Sequence, residues 1–295
     1  LAEGAHQVVR KVKDRNVFSV DDLKHYDLQL LISNYEFQMC VIDTRDQKCL
    51  LLEDYTFNEL LETDALTKAI FKLFEGHHLL MAGYWNEIKV AIRNQKFHLV
   101  PREIFEKNNL PTYLQLNGNI DTDTEYITYY EHKDASTVCV FAINSAIKQR
   151  LDSIYINRQV TYIHQSSAII EGLLHDYKHH KTDADLVLLF GRDNLIITRI
   201  TNNKLEFLNR FLLVDEQDAV KYTLTVMKEL GISPDRANVE LRGEIYDSDS
   251  RYQSLYKYIH ALSFCKKPSY LTFSFEFDEL KEHAFSDLYG MYLCR

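Results

Sequence analysis

The chain has 295 residues, 46% hydrophobic and 26% charged, with a net charge of −9. That is ordinary globular composition at a length suited to two domains or a duplicated one. The closest of its nine glycines, Gly76 and Gly83, lie seven positions apart, which excludes a G-x-G-x-x-G dinucleotide turn, a G-x-x-x-x-G-K-[ST] phosphate loop and a G-x-S-x-G nucleophile elbow.

In chain order, the basic cluster Arg10, Lys11, Lys13 and Arg15 reads as a solvated flank, and with the acidic balance no nucleic-acid partner is expected. Residues 28–53 read as a strand, a turn at Ser33-Asn34, a strand with Phe37, Met39 and Val41 on its buried face, a turn at 44–47, and a third strand. An amphipathic helix follows, with Leu66, Ala69, Ile70, Leu73 and Phe74 at helical spacing and Gly76 just past its end. Residues 85–130 read as an irregular insertion that carries Trp85, Tyr113, Tyr126, Tyr129 and Tyr130, residue types favoured at interfaces. Two strand–helix units come next: 137–143 feeding a helix from Ser145, and 159–164 feeding a helix over 166–180.

Residues 186–211 then repeat the opening meander at an offset of 158 positions, with Leu28 on Leu186 and Ser33 on Gly191. A helix with Val220, Leu224 and Met227 stops at Gly231 and Pro234. A strand at 238–241 and a helix at 251–262 follow, the latter capped by Asp247 or Ser248. Leu271, Phe273, Phe275 and Phe277 alternate with polar residues as a late half-buried strand, open to strand addition if it lies at an edge. The expected architecture is α/β: two similar lobes with mixed sheets flanked by helices, and a cleft between them.

Five cysteines (Cys40, Cys49, Cys139, Cys265 and Cys294) without a C-x-x-C read as reduced core residues. No uncharged apolar run is long enough for a membrane span, and the start shows no signal-peptide pattern. A cytoplasmic location is expected.

The duplicated β-β-β-α-β-α-β-α pattern resembles the actin, sugar-kinase and heat-shock-chaperone ATPase superfamily, whose lobes are ribonuclease-H-like. Residues 184–211 look most like the second lobe of its pilus-assembly and division-protein members. The element Leu99-Val100-Pro101, after a strand pair at 87–98, and the closing helix from Phe285 to Cys294 resemble an uncharacterised bacterial family assigned this fold. The resemblance implies a first lobe at 20–183, with the insertion at 85–130, and a second at 184–295.

Working members open each lobe with an Asp-x-Gly hairpin. The Asp holds Mg²⁺ or its waters, and the glycines let backbone N–H groups approach phosphate. The matching stretch Ile32-Ser33-Asn34-Tyr35-Glu36 has neither residue. In Leu189-Phe190-Gly191-Arg192-Asp193 the glycine remains and the acid has become leucine. Apolar side chains cannot ligate a hard cation, so ATP with Mg²⁺ is not expected and no catalytic or metal residue is assigned. The adenosine pattern, a strand ending in Gly-Gly, is matched by Arg242-Gly243-Glu244 with one glycine. If a vestigial nucleotide site survives, Gly191, Arg192, Arg242 and Gly243 are its candidates, as exposed backbone and cations that could meet phosphate.

His164 and Gln165 stand where catalytic members activate water. His175 and His179 are four apart on one helix with no third ligand fixed, and read as a basic helix end. The acids Asp43, Asp46, Glu53 and Asp54 read as turn chemistry, and Leu28–Ile32 has no acid for a two-metal nuclease. The expected function is a non-catalytic scaffold or adaptor that meets an unidentified protein partner through 85–130. A divergent ATPase or kinase and a ribonuclease-H-like nuclease are the alternatives.

Overall fold

The fold is described from a computed structural model, over residues 6–57, 63–115 and 120–295. It has two compact units. One comprises Leu1–Ala168, Ser269–Glu279 and Leu288–Arg295, and the other Ile169–Pro268 and Leu280–Asp287.

The first unit runs through β1 (His6–Lys13), β2 (Tyr26–Ile32), β3 (Glu36–Asp43), β4 (Lys48–Phe57), α1 (Thr63–Glu75), β5 (Ile88–Ile92), β6 (Phe97–Pro101), α2 (Leu110–Leu114), β7 (Glu125–His132), β8 (Thr137–Asn144), α3 (Ser145–Ile154), β9 (Val160–His164) and the start of α4 (Gln165–Lys178). Its main sheet has the order β1-β4-β3-β2-β5-β9. The meander β2-β3-β4 is antiparallel, and β5 and β9 extend it in parallel. The Ser33 hydroxyl closes the first turn by accepting from the N–H groups of Tyr35 (3.2 Å) and Glu36 (3.0 Å). α1 buries Leu66, Ala69, Ile70, Leu73 and Phe74, with Phe74 edge-on to Phe37 of β3 at 5.8 Å.

Three expectations change here. The basic N-terminal cluster is no loose flank, because residues 6–13 form the edge strand β1 against β4. Residues 85–130 are not irregular: they hold β5, β6, α2 and most of β7, although residues 116–119 lie outside the described residues. The strand at 137–144 does not join the main sheet. It is the centre of a separate antiparallel sheet, β6-β8-β7, whose core is Val100, Leu114, Val138, Val140 and Ala142. β5, buried along its whole length, takes the place beside β2.

The second unit holds the rest of α4, then β10 (Leu186–Phe190), β11 (Asn194–Thr201), β12 (Lys204–Leu212), α5 (Asp218–Glu229), β13 (Asn238–Gly243), α6 (Ser250–Tyr256) and β14 (Ala261–Phe264). Its sheet order, β12-β11-β10-β13-β14, again sets an antiparallel meander beside two parallel strands. Each unit thus repeats the same five-strand pattern. The helix expected at 251–262 ends at Tyr256, because residues 261–264 pair in parallel with β13. Its cap is Asp249, one residue beyond the expected pair, which accepts from the Arg251 N–H at 2.9 Å.

The C-terminal stretch gives β15 (Thr272–Phe273) and α7 (Ser286–Gly290). Only two residues of the expected 271–277 strand pair, in parallel with Lys48 and Cys49 of β4. The chain then turns helically over 275–279, which buries Phe277 and leaves Phe275 74% exposed. Polar anchors tie residues 288–295 to the main sheet. The buried Gln29 amide fits between the Leu288 carbonyl and the Tyr292 N–H, and Lys89 Nζ donates to the Tyr292 carbonyl at 3.3 Å. The chain passes between the two units at 168/169, 268/269, 279/280 and 287/288.

Candidate functional site

The sequence singles out two hairpins. In the second unit, β10 runs in parallel beside β13, with Leu189 opposite Arg242 and Phe190 opposite Gly243. Gly191 and Gly243 thus lie together at the carboxyl ends of adjacent strands, where open α/β sheets bind ligands. Arg192 is exposed in the turn, which the Gly191 N–H closes onto the Asn194 carbonyl at 2.9 Å.

Arg242 does not join them. Its buried guanidinium bonds Asp176 Oδ2 (2.9 Å) and Glu240 Oε1 (2.6 Å). Burial opposes its charge, but Cys265, Glu240 and Asp176 outweigh that and hold the group protonated. Gly243 answers to backbone geometry. Its φ is +81°, and a Cβ there would sit 2.2 Å from the Phe190 carbonyl oxygen.

In the first unit the equivalent turn follows the buried Ile32. Glu36 opens β3 just after that turn, and its carboxylate pairs with Arg93, which follows β5. On the same face Gln38 Nε2 donates to Asp54 Oδ1 at 3.2 Å. Burial, then the neighbouring Glu36, push the Asp54 carboxyl up. An internal acid–arginine pair therefore stands at the carboxyl ends of β2 and β5. The sequence reading missed it, since 57 residues separate its members.

Glu53 is not a turn acid either. Fully buried on the opposite face of β4, it meets Lys11 Nζ (2.7 Å), His77 Nε2 (2.8 Å) and the Tyr55 hydroxyl. Burial raises its pKa, but the bonds from His77, Lys11 and Tyr55 more than offset this and hold it near 2. Because the folded value is depressed, the stabilisation is complete above the ordinary glutamate pKa, 4.5, and fades as pH falls toward 2. Glu53→Gln is expected to cost about 2 kcal/mol at neutral pH, with Lys11 open to solvent, and to flatten this acid limb. Urea unfolding from pH 7 down to pH 3 checks it.

His164 caps α4. Its Nδ1 lies 3.1 Å from the Ser166 N–H and 2.7 Å from the Ser166 hydroxyl, and its Nε2 lies 3.2 Å from the Asn94 carbonyl. It is fully buried and stacks on Phe97 at 4.2 Å. Gln165 is buried as well. His175 and His179 lie 4.3 Å apart, ring to ring, and among the described residues no three His, Cys, Asp or Glu side chains are grouped to hold a metal.

A pocket of about 510 Å³ lies between β7, an edge of the three-stranded sheet, and β9, an edge of the main sheet, with α3 along one side. Lys148 Nζ stands 4.8 Å from the Tyr126 ring centre and 5.1 Å from that of Tyr162. Asp152 accepts from Lys148 (2.6 Å) and from the Tyr162 hydroxyl (2.8 Å). Tyr126 and Ile156 at its rim are 48% and 80% exposed. Trp85, by contrast, is fully buried and packs in the core.

Two sheets, each a three-strand meander extended by two parallel strands, define the actin-like ATPase fold. The solved structures agree. A Bacteroides thetaiotaomicron protein with an actin-like ATPase fold and unknown function is 17% identical with a TM-score of 0.77, over 95% of this chain and 100% of that one. The PilM–PilN type IV pilus biogenesis complex matches at 14% identity and a TM-score of 0.61, over 90% and 97%. The chain belongs to the family described as "Protein of unknown function (DUF3822)", which matches residues 14–262. No curated protein matches it.

Proposed function

We propose that this chain is a non-catalytic scaffold or adaptor that keeps the actin-like fold and has lost the magnesium and phosphate chemistry. The observation that carries this reading is the pair of buried apolar residues at equivalent positions, Leu31 and Leu189, two before Ser33 and Gly191, where the superfamily's Asp-x-Gly acids belong. Mg²⁺ takes oxygen ligands, and without it phosphoryl transfer loses its main charge compensation. The Glu36–Arg93 pair supports the same reading, because the carboxylate and the arginine that stand just after the first hairpin turn are paired with each other. Arg242, the strand-end cation of the second unit, is likewise spent on two carboxylates. Titration of the full chain with ATP and Mg²⁺ by calorimetry is expected to give no binding heat, and micromolar binding would overturn the reading.

The partner side of the proposal is a protein held at the pocket between β7 and β9. An exposed tyrosine, an exposed isoleucine and two cations, Lys148 and Arg158, line its rim. Aromatic and arginine side chains are enriched at interfaces. The similar PilM was solved in a complex with PilN, which fits an adaptor role for this fold. A Tyr126→Ala/Lys148→Ala chain is expected to lose a partner that the wild type retains on affinity capture. Undiminished retention of that partner would place the surface elsewhere.

A further inference from the structure

Cys40 and Cys49 are both fully buried, on the adjacent strands β3 and β4, with their sulfurs 3.4 Å apart. Simple alternation would not bring them together. Leu51, Glu53 and Tyr55 share the face of β4 that meets Val41, Met39 and Phe37, so period two carries Cys49 to that face and away from Cys40. The register instead slips. Val41 pairs with Leu51, but Ile42 pairs with Cys49, which leaves Leu50 as an extra residue. This β-bulge turns Cys49 back to the face of Ile42 and Cys40, the re-aiming of a side chain for which bulges are known.

The other cysteines are engaged elsewhere. Cys139 Sγ lies 3.5 Å from the Ser166 hydroxyl, Cys265 stands beside Arg242, and Cys294 Sγ lies 3.9 Å from the Gly290 carbonyl. The C-terminal stretch runs beside the pair: Phe273 of β15 is paired in register with Cys49, and its ring stands 5.1 Å from that of Tyr289. Burial, then Cys49 and Cys40, push the Tyr289 phenol up.

We infer that Cys40 and Cys49 are a redox-responsive thiol pair, brought together by the bulge and closing to a disulfide when a small-molecule disulfide reaches them. One thiol loses its proton and attacks the oxidant, whose S–S bond breaks, forming a mixed disulfide and expelling one thiol. The second cysteine, also deprotonated, then displaces the other half. Two S–H bonds are exchanged for one S–S bond, and the two electrons and two protons leave with the oxidant as two free thiols. Closure brings the sulfurs from 3.4 Å to a bond length of about 2.05 Å. The Tyr289 ring stands close to both sulfurs.

The test is to incubate the folded full-length chain with hydroxyethyl disulfide, denature it and count thiols. Two of the five thiols are expected to disappear, with a mass lower by two hydrogens. Trypsin cleaves after Arg45 and Lys48, so two peptides joined through Cys40 and Cys49 identify the bond. Cys40→Ala and Cys49→Ala chains are expected to form no internal crosslink. Five remaining thiols in the wild type, a link from either residue to a different cysteine, or a hydroxyethyl adduct persisting on either one overturns the inference. The peptide map of the wild type decides the matter even if a variant fails to fold.

Discussion

Arg242→Met is expected to destabilise the chain by about 3–5 kcal/mol, the cost of breaking a buried ion pair by removing one partner. The arginine bonds both Asp176 Oδ2 and Glu240 Oε1, and all three side chains are nearly removed from water. Without it, two carboxylates are left in a poorly solvated space and keep most of their desolvation cost without the arginine's attraction. Typical domains have only about 5–15 kcal/mol in hand, so the urea midpoint should fall steeply. The informative control is the apolar triple replacement Arg242→Met/Asp176→Leu/Glu240→Leu, which removes the charges together. It is expected to recover most of the loss, since well-packed apolar groups often match or exceed a buried ion network. A phosphate-binding role for Arg242 predicts the opposite for the single variant: little change in stability without nucleotide.

The same residue marks how far the sequence could be read. Both meanders were legible because each is a run of apolar alternation punctuated by short turns, and the match of Leu28 with Leu186 exposed the duplication. Their parallel partners were half legible. β13 and β9 are bounded by turns or a helix start, but β5 sits in a stretch whose boundaries carry little turn chemistry. β14 follows a helix whose apolar spacing runs on into it. A strand of four residues shows no period of its own, and only its pairing with β13 decides the outcome.

Polar pairing was the least legible. Asp176 and Arg242 are 66 positions apart, and Glu36 and Arg93 are 57 apart. No local pattern links such residues, so Arg242 looked free to meet a phosphate. The bulge at Leu50 is hidden for a related reason, because it is a property of how two strands register and not of either one alone. The apolar character of Leu189 could be read locally. The pairings of Arg242 and Glu36 required the fold.

Gly243→Ala is expected to cost about 3 kcal/mol or more. Two penalties add. At φ +81° any L side chain is strained. The new Cβ would also stand 2.2 Å from the Phe190 carbonyl oxygen, and that oxygen is fixed by accepting the Glu244 N–H at 2.7 Å. The obstacle is backbone, so relief requires β10 and β13 to separate at their carboxyl ends. Gly231→Ala supplies the comparison: its φ is +67°, but nothing lies within 4 Å of its added carbon. It carries the conformational term alone, about 1 kcal/mol. Thermal unfolding of the two variants side by side separates strain from collision. A large gap between them means that the glycine retained at the end of β13 is held there by the close approach of two strands, whether or not a nucleotide was ever seated beside it. Equal losses would mean that β10 yields easily and that close strand approach does not require a glycine at this position.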